Sequence, residues 1–316
     1  MDVSNNGEMI QGHECYSSCL GYVLRKCYME MSPNKIIILG DGMNVYYDSE
    51  KRILGTNMFN ANKTFMTENH LKRNVYLETD EEQAINRLKD LLGNDCIPII
   101  KLHPMYIGYH RIFSQGKEGT HFVCIEGLQN ETIKIVDCYV PTQNPTMFEG
   151  WIELKDVMEA WKAMDYEIHV IHTGEYVNKN TEEHIRKKMQ EGITAYLDGN
   201  NENGMIGGQK AIISLFDDIV KHREELTYEE LININYQIKI FGFISLKCIL
   251  FDEIEAILAQ EAAYGKEIVG EWNKICSFML KCGISKKEKN YELLEQRVKE
   301  CIKKEEELLK KIRELL

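Results

Sequence analysis

Thr120-His121-Phe122-Val123-Cys124-Ile125-Glu126-Gly127, followed by Thr132-Ile133-Lys134-Ile135-Val136-Asp137, reads as a β-hairpin, with Gln129-Asn130-Glu131 as its turn. Side chains alternate along a strand. His121, Val123 and Ile125 therefore share one face, and Ile133, Ile135 and Asp137 share one face of the partner strand. With the loop centred near Gln129, His121 lies beside Asp137 at the open end of the hairpin, where cross-strand Cβ atoms are roughly 5 Å apart. A base and a carboxylate then meet at the top of an otherwise apolar face directed at the core.

A nucleophile for that pair stands upstream, in His13-Glu14-Cys15-Tyr16-Ser17-Ser18-Cys19-Leu20. A helix is expected from Cys15 to about Met29, with Tyr16, Cys19, Leu20, Val23, Leu24 and Cys27 on one side. Cys15 opens it, where backbone N–H groups and the helix dipole favour a thiolate. Cys19 and Cys27 continue the apolar stripe and read as core. Cys15, His121 and Asp137 thus form a candidate nucleophile, general base and orienting group. Acyl transfer also needs donors for an oxyanion. The Cys15 N–H is one, and Gln11, with His13 or Asn6 as substitutes, is the side-chain candidate.

Outward from these segments, Ile36-Leu39, Val45-Tyr47, Arg52-Leu54, Ile97-Leu102 and Glu167-Ile171 read as further strands, and a second helix starts at a Thr79 cap and ends before Gly93. The pattern predicts an α+β fold, a helix followed by an antiparallel sheet, over residues 1–178. Residues 179–316 are expected to form a helical domain: Glu182 to Leu197, Ile206 to Arg223, a long segment from Tyr228 to Cys282 with room for a break, and Lys289 to Leu316. The Gly/Asn-rich stretch from Gly199 to Gly208 separates the first two helices. In the last helix Leu294, Val298, Cys301, Leu308, Ile312 and Leu315 form a seam whose one polar member is Glu305, fit for a bundle or a homo-oligomer.

With 316 residues, 44% hydrophobic and 28% charged, the chain can bury one or two cores without disulfides or a metal. A net charge of -12 and a pI near 5.4 argue against a nucleic-acid partner. No uninterrupted apolar run approaches the roughly 18 residues of a spanning helix, and the polar start carries no targeting signal, so no membrane partner is expected. The ten cysteines lack paired spacings, which reads as free thiols in a reducing cytoplasm. His13, Cys15 and Cys19 lack the second pair that a zinc site requires. Gly40-Asp41-Gly42 lacks the phosphate-loop lysine and reads as a tight turn. His103 and His110 border a Pro-Met-Tyr-Ile-Gly-Tyr segment suited to structure or to a cleft wall.

The arrangement is similar to the papain-like fold, and it more closely resembles the N-terminal region of the butirosin biosynthesis protein H family. The residues that carry the resemblance are His13-Glu14-Cys15 with Ser18-Cys19-Leu20, Leu39-Gly40-Asp41-Gly42 with Tyr46-Tyr47, and His121-Phe122-Val123 with Gly127 and Val136-Asp137. They span about the first half of the chain. The resemblance implies a cysteine acyltransferase that moves an acyl group from an acyl or peptidyl carrier protein to an amine acceptor, forming an amide in natural-product biosynthesis without a cofactor. The same triad with water as acceptor would make a peptidase, amidase or thioesterase. Asp41, Glu126, Tyr139 and Gln143 are candidates to bind a cationic acceptor.

Overall fold

A computed structural model describes residues 8–27, 29–113, 119–142, 146–177, 181–199, 204–240 and 242–316. In chain order the elements are α1 (Cys15–Lys26), α2 (Pro33–Leu39), β1 (Val45–Asp48), β2 (Ile53–Thr56), α3 (Met58–Glu68), β3 (Lys72–Tyr76), α4 (Glu81–Gly93) and β4 (Ile99–Leu102). A 3-10 turn, Pro104–Tyr106, precedes β5 (His121–Gln129), β6 (Thr132–Val140), β7 (Thr146–Glu153), α5 (Lys155–Lys162) and β8 (Ile168–His172). Then follow α6 (Glu182–Asp198), β9 (Ile206–Gly207), α7 (Gly208–Lys221), α8 (Tyr228–Lys239), α9 (Phe243–Ile254), α10 (Ala259–Ser285) and α11 (Glu288–Leu315). The fold is α+β, with antiparallel sheets and a helical C-terminal part.

Two compact units divide the chain. One holds Met1–Ile36 and Thr64–Asn178, the other Ile37–Lys63 and Lys179–Leu316. The later boundary coincides with the one read from the sequence. Residues 37–63 differ, because β1 pairs antiparallel with β9 as well as with β2, which ties this hairpin to the helical part.

The first unit is a six-stranded sheet in the order β3-β8-β4-β5-β6-β7, antiparallel throughout. α1 packs against β5 and β6. The alternate side chains Val123, Ile125, Ile133 and Ile135 instead join a core with Ala84 and Leu88 of α4 and Val157 and Trp161 of α5. Burying each such Ile or Val contributes roughly 1.5–3 kcal/mol. The apolar face of the hairpin thus meets α4 and α5, and the helix that carries Cys15 meets the strands from elsewhere.

Ile36-Leu39 is the end of a helix and not a strand. Ser32 caps it by accepting from the Lys35 N–H at 3.1 Å, and Pro33 follows at the first helical position, so the start signal outweighs the β-branched run. The chain leaves α2 through Asp41 at φ 60, with the Gly42 N–H returning to Ile37 O at 2.8 Å. The cap of α4 is Asp80, one residue after Thr79, and it accepts from the Gln83 N–H at 2.9 Å. β3, β7, α3 and α5 carry no clear signal in the sequence.

In the second unit Tyr47 of β1 donates to Asp218 of α7 at 2.9 Å, and the Leu54 N–H donates to Gln237 of α8 at 3.2 Å, fixing the hairpin to the helices. Gly208 opens α7 at φ +62, where a Cβ would lie 2.2 Å from Tyr196 O, so glycine is required there. By length and mean hydropathy the stretch Tyr228–Ile254 is apolar enough to cross a membrane. Its apolar side chains, among them Leu231, Ile238, Phe243 and Ile249, are core of this unit instead. The seam of α11 is buried from Leu294 to Ile312, and Leu315 is exposed. Glu305 is buried in that seam because Lys247 donates to its Oε1 and the Trp272 indole donates to its Oε2 at 2.7 Å.

Removing one partner of such a pair strands a charge in the core. Lys247→Met should destabilise the protein by about 3–5 kcal/mol, and Lys247→Met with Glu305→Leu should recover most of that loss. Urea unfolding of the two variants checks this; equal destabilisation of single and double variants would contradict it.

Candidate active site

Cys15 is the first residue of α1, and Glu14 is the N-cap. One Glu14 oxygen accepts from the Tyr16 N–H at 2.9 Å and the other from the Ser17 N–H at 2.6 Å. Aspartate, asparagine and serine are the usual caps. Here the longer carboxylate does the work, and it also receives the Cys15 S–H at 3.6 Å.

Cys15 and Glu14 are both 4% exposed. Burial, and after it the Glu14 charge, hold the Cys15 thiol well above its ordinary range, against a smaller opposite pull from the Phe122 backbone N–H. The helix N-terminus alone therefore does not supply a thiolate, contrary to the reading from position, because Glu14 has already taken up its N–H groups.

Phe122 joins this helix to the strand that carries the histidine. Its N–H is hydrogen-bonded to the Cys15 sulfur, and its carbonyl accepts from the Cys19 thiol at 3.3 Å. The Tyr16 ring also meets the Phe122 ring edge-on at 4.9 Å. The start of β5, with His121 as its first residue, is thereby held on the first two turns of α1.

His121 Nε2 lies 2.8 Å from Asp137 Oδ2, and both side chains are buried. The register that produces this contact differs from the expected one. Cys124 pairs with Val136, so Asp137 falls opposite Val123, diagonal to His121, and a bulge at Glu126 shifts the pairing beyond it. A displacement of two residues keeps a side chain on its face, where a displacement of one would have reversed it. Asp137 Oδ1 accepts from the Tyr139 N–H at 3.0 Å. Nδ1 of His121 has no hydrogen-bond partner among the described residues, so it is the nitrogen left to take a proton.

Two residues at the site have no signal of their own in the sequence. Tyr109 donates its hydroxyl to Asp137 Oδ2 at 2.7 Å, stacks on Phe148 at 4.6 Å and meets Phe113 edge-on at 5.6 Å. Phe113 in turn lies 4.9 Å from the His121 ring. Glu14 is the other, since glutamate next to a cysteine does not announce a cap.

Gln11 is exposed and has no hydrogen-bond partner among the described residues, while the next residue, Gly12, donates its N–H to Cys138 O at 3.2 Å. His13 is half-buried two residues before the thiol. Asn6 and Gln143 lie outside the described residues. His103 and His110 accept from the backbone N–H groups of Met105 and Ile112, which makes them turn-formers. Glu126 holds Tyr22, Lys26 and Lys134. Asp41 belongs to the other unit, where it pairs with Lys188 at 2.8 Å. Tyr139 is buried. Compared with known proteins, the chain matches no family model and no curated sequence.

The Glu14 charge is one of the causes that keep the Cys15 proton in place, so neutralising it should release that proton at lower pH. Glu14→Gln is expected to speed iodoacetamide alkylation of Cys15 at neutral pH several-fold, because the raised pKa of the thiol falls. The pH dependence of alkylation, mapped to Cys15 by mass spectrometry, reads this; an unchanged profile would remove Glu14 from the account.

Proposed function

We propose that this protein is a papain-like cysteine acyltransferase, in which Cys15 accepts an acyl group from a carrier-protein thioester and passes it to an amine. The observation that carries the reading is the placement of His121. Its Nε2 is engaged by Asp137, and the next residue gives its backbone N–H to the Cys15 sulfur. This supports reading the three as a thiol, a base and an orienting carboxylate in the order such chemistry uses.

The Cys15 thiol gives its proton to His121 Nδ1, and the sulfur attacks the thioester carbonyl. The oxyanion collapses, the carbon–sulfur bond to the carrier breaks, and the carrier sulfur leaves with the proton from His121. An amine then attacks the acyl-enzyme. Its nitrogen loses a proton to His121 as the carbon–nitrogen bond forms, and the Cys15 sulfur departs and recovers that proton. Exchange of one thioester for another is nearly balanced, whereas amide formation is downhill and draws the cycle forward.

Because the thiol is held protonated by burial and Glu14, the reactive state is the thiolate–imidazolium pair and not a free thiolate. The Cys15 N–H is the first oxyanion donor, with Gln11 as its side-chain companion. Burial of Cys15, His121 and Asp137 favours transfer over hydrolysis, since water must be kept from the acyl-enzyme while the amine is oriented. The chemistry requires no metal or cofactor. The ten free cysteines suit a reducing cytoplasm.

Incubation with a simple acyl thioester should give a covalent acyl adduct on Cys15, seen in the intact mass, and a primary diamine should discharge it much faster than water. Cys15→Ala should form no adduct, and Cys27→Ala, altered at an exposed thiol, should form it as the parent does. His121→Ala should slow acylation by at least about 100-fold. Clearance by water as fast as by the amine would make the protein a hydrolase, and acylation indifferent to His121 would end the triad reading.

A further inference from the structure

Asp137 Oδ2 receives two donors at nearly the same distance, His121 Nε2 at 2.8 Å and the Tyr109 hydroxyl at 2.7 Å. The phenol is fixed for this contact by its ring, which stacks on Phe148 and abuts Phe113, the residue that also touches the imidazole. Two donors on one carboxylate oxygen draw on the same electron density, so each bond is weaker than it would be alone.

We propose that Tyr109 is a positioning residue that shares Asp137 with His121 and thereby moderates the aspartate's hold on the imidazolium. The proposal rests on the Cys15–His121–Asp137 reading and adds a member to it. An acyl-transfer base has to give its proton up as readily as it takes it, first to the departing carrier sulfur and later to Cys15. An imidazolium held too tightly by an unshared carboxylate takes the thiol proton and keeps it. With Tyr109 in place, part of the carboxylate charge is spent on the phenol.

The titratable partner of His121 is Asp137 on β6, which Tyr109, in the segment after the 3-10 turn, shares; Cys15 and Cys19 of α1 act electrostatically on Tyr109, and Leu102, opposite His121 on β4, is apolar. Burial, and then the Asp137 charge, push the Tyr109 hydroxyl well above its ordinary range, so it remains a donor wherever the imidazole titrates. The sign follows. Loss of the phenol donor leaves Asp137 Oδ2 to His121 alone, which stabilises the charged imidazolium, and His121 then deprotonates at higher pH.

The test uses the full chain labelled at histidine, with the His121 resonance assigned by its loss in His121→Gln. In Tyr109→Phe the His121 titration should move up by on the order of one pH unit, and because the thiolate–imidazolium pair is then favoured, alkylation of Cys15 should rise by up to about tenfold above its acid limb and change little below it. Placing 3,5-difluorotyrosine at position 109 keeps the ring and strengthens the donor, so it should move both downward. This second variant decides the matter if Tyr109→Phe fails to fold. A His121 titration that stays put or moves the wrong way overturns the proposal, even if activity falls. Failure of the underlying triad would look different: alkylation of Cys15 in the parent protein would be unchanged by His121→Ala.

Discussion

A helix that begins inside a protein must find acceptors for its first N–H groups without water. α1 solves this with the Glu14 carboxylate, and the character of the site follows from that choice. The group that completes the helix end also sets a negative charge against the cysteine sulfur, so the favourable field a thiolate would find at an open helix terminus is already spent. In the proposed mechanism ionisation then depends on a partner that takes the proton, the part assigned to His121. His121 in turn is held by a carboxylate that has no contact with solvent and meets its needs from Tyr139 and Tyr109. Each step is an answer to burial: cap the helix end, pair the thiol, satisfy the aspartate.

The parts of this that could be read in the sequence are those governed by short-range periodicity. Strand alternation puts His121 and Asp137 on one face whether the turn is centred correctly or displaced by two residues, so the pair was legible although its register was not. The turn is centred on Asn130 and Glu131, which displaces the pairing by three residues, and the bulge at Glu126 takes one of them back; a bulge leaves no mark when the extra residue is a charged one that finds partners in Tyr22, Lys26 and Lys134. Tyr109 was not legible for a different reason. It comes from a segment outside the hairpin, and only the chain's path brings its hydroxyl to Asp137.

Propensity misled where a local start signal competed with it. Ile36, Ile37 and Ile38 favour a strand, but Ser32 and Pro33 had already begun a helix. At the sheet edge β7 escaped notice because Met147 and Trp151 are exposed, so its alternation does not divide apolar from polar. In α11 the solitary Glu305 of an apolar seam marked a buried ion pair whose other half, Lys247, lies in the most apolar helix of the unit. A polar residue in a seam announces a partner without saying where in the chain it is.

The assignment of residues 37–63 to the helical unit bears on how the chain is made. This segment, with Val45, Tyr47 and Leu54 as its buried apolar side chains, leaves the ribosome more than a hundred residues ahead of the first helix that covers it. At translation speeds of about 5–20 residues per second, the hairpin waits roughly 6–23 seconds for α6 and longer for α7 and α8. For that time its apolar face is open to chaperones and to neighbouring nascent chains. The sheet unit can gather around α1 early, while the second core is completed only when α11 arrives, so the two units acquire their cores at well separated stages of synthesis.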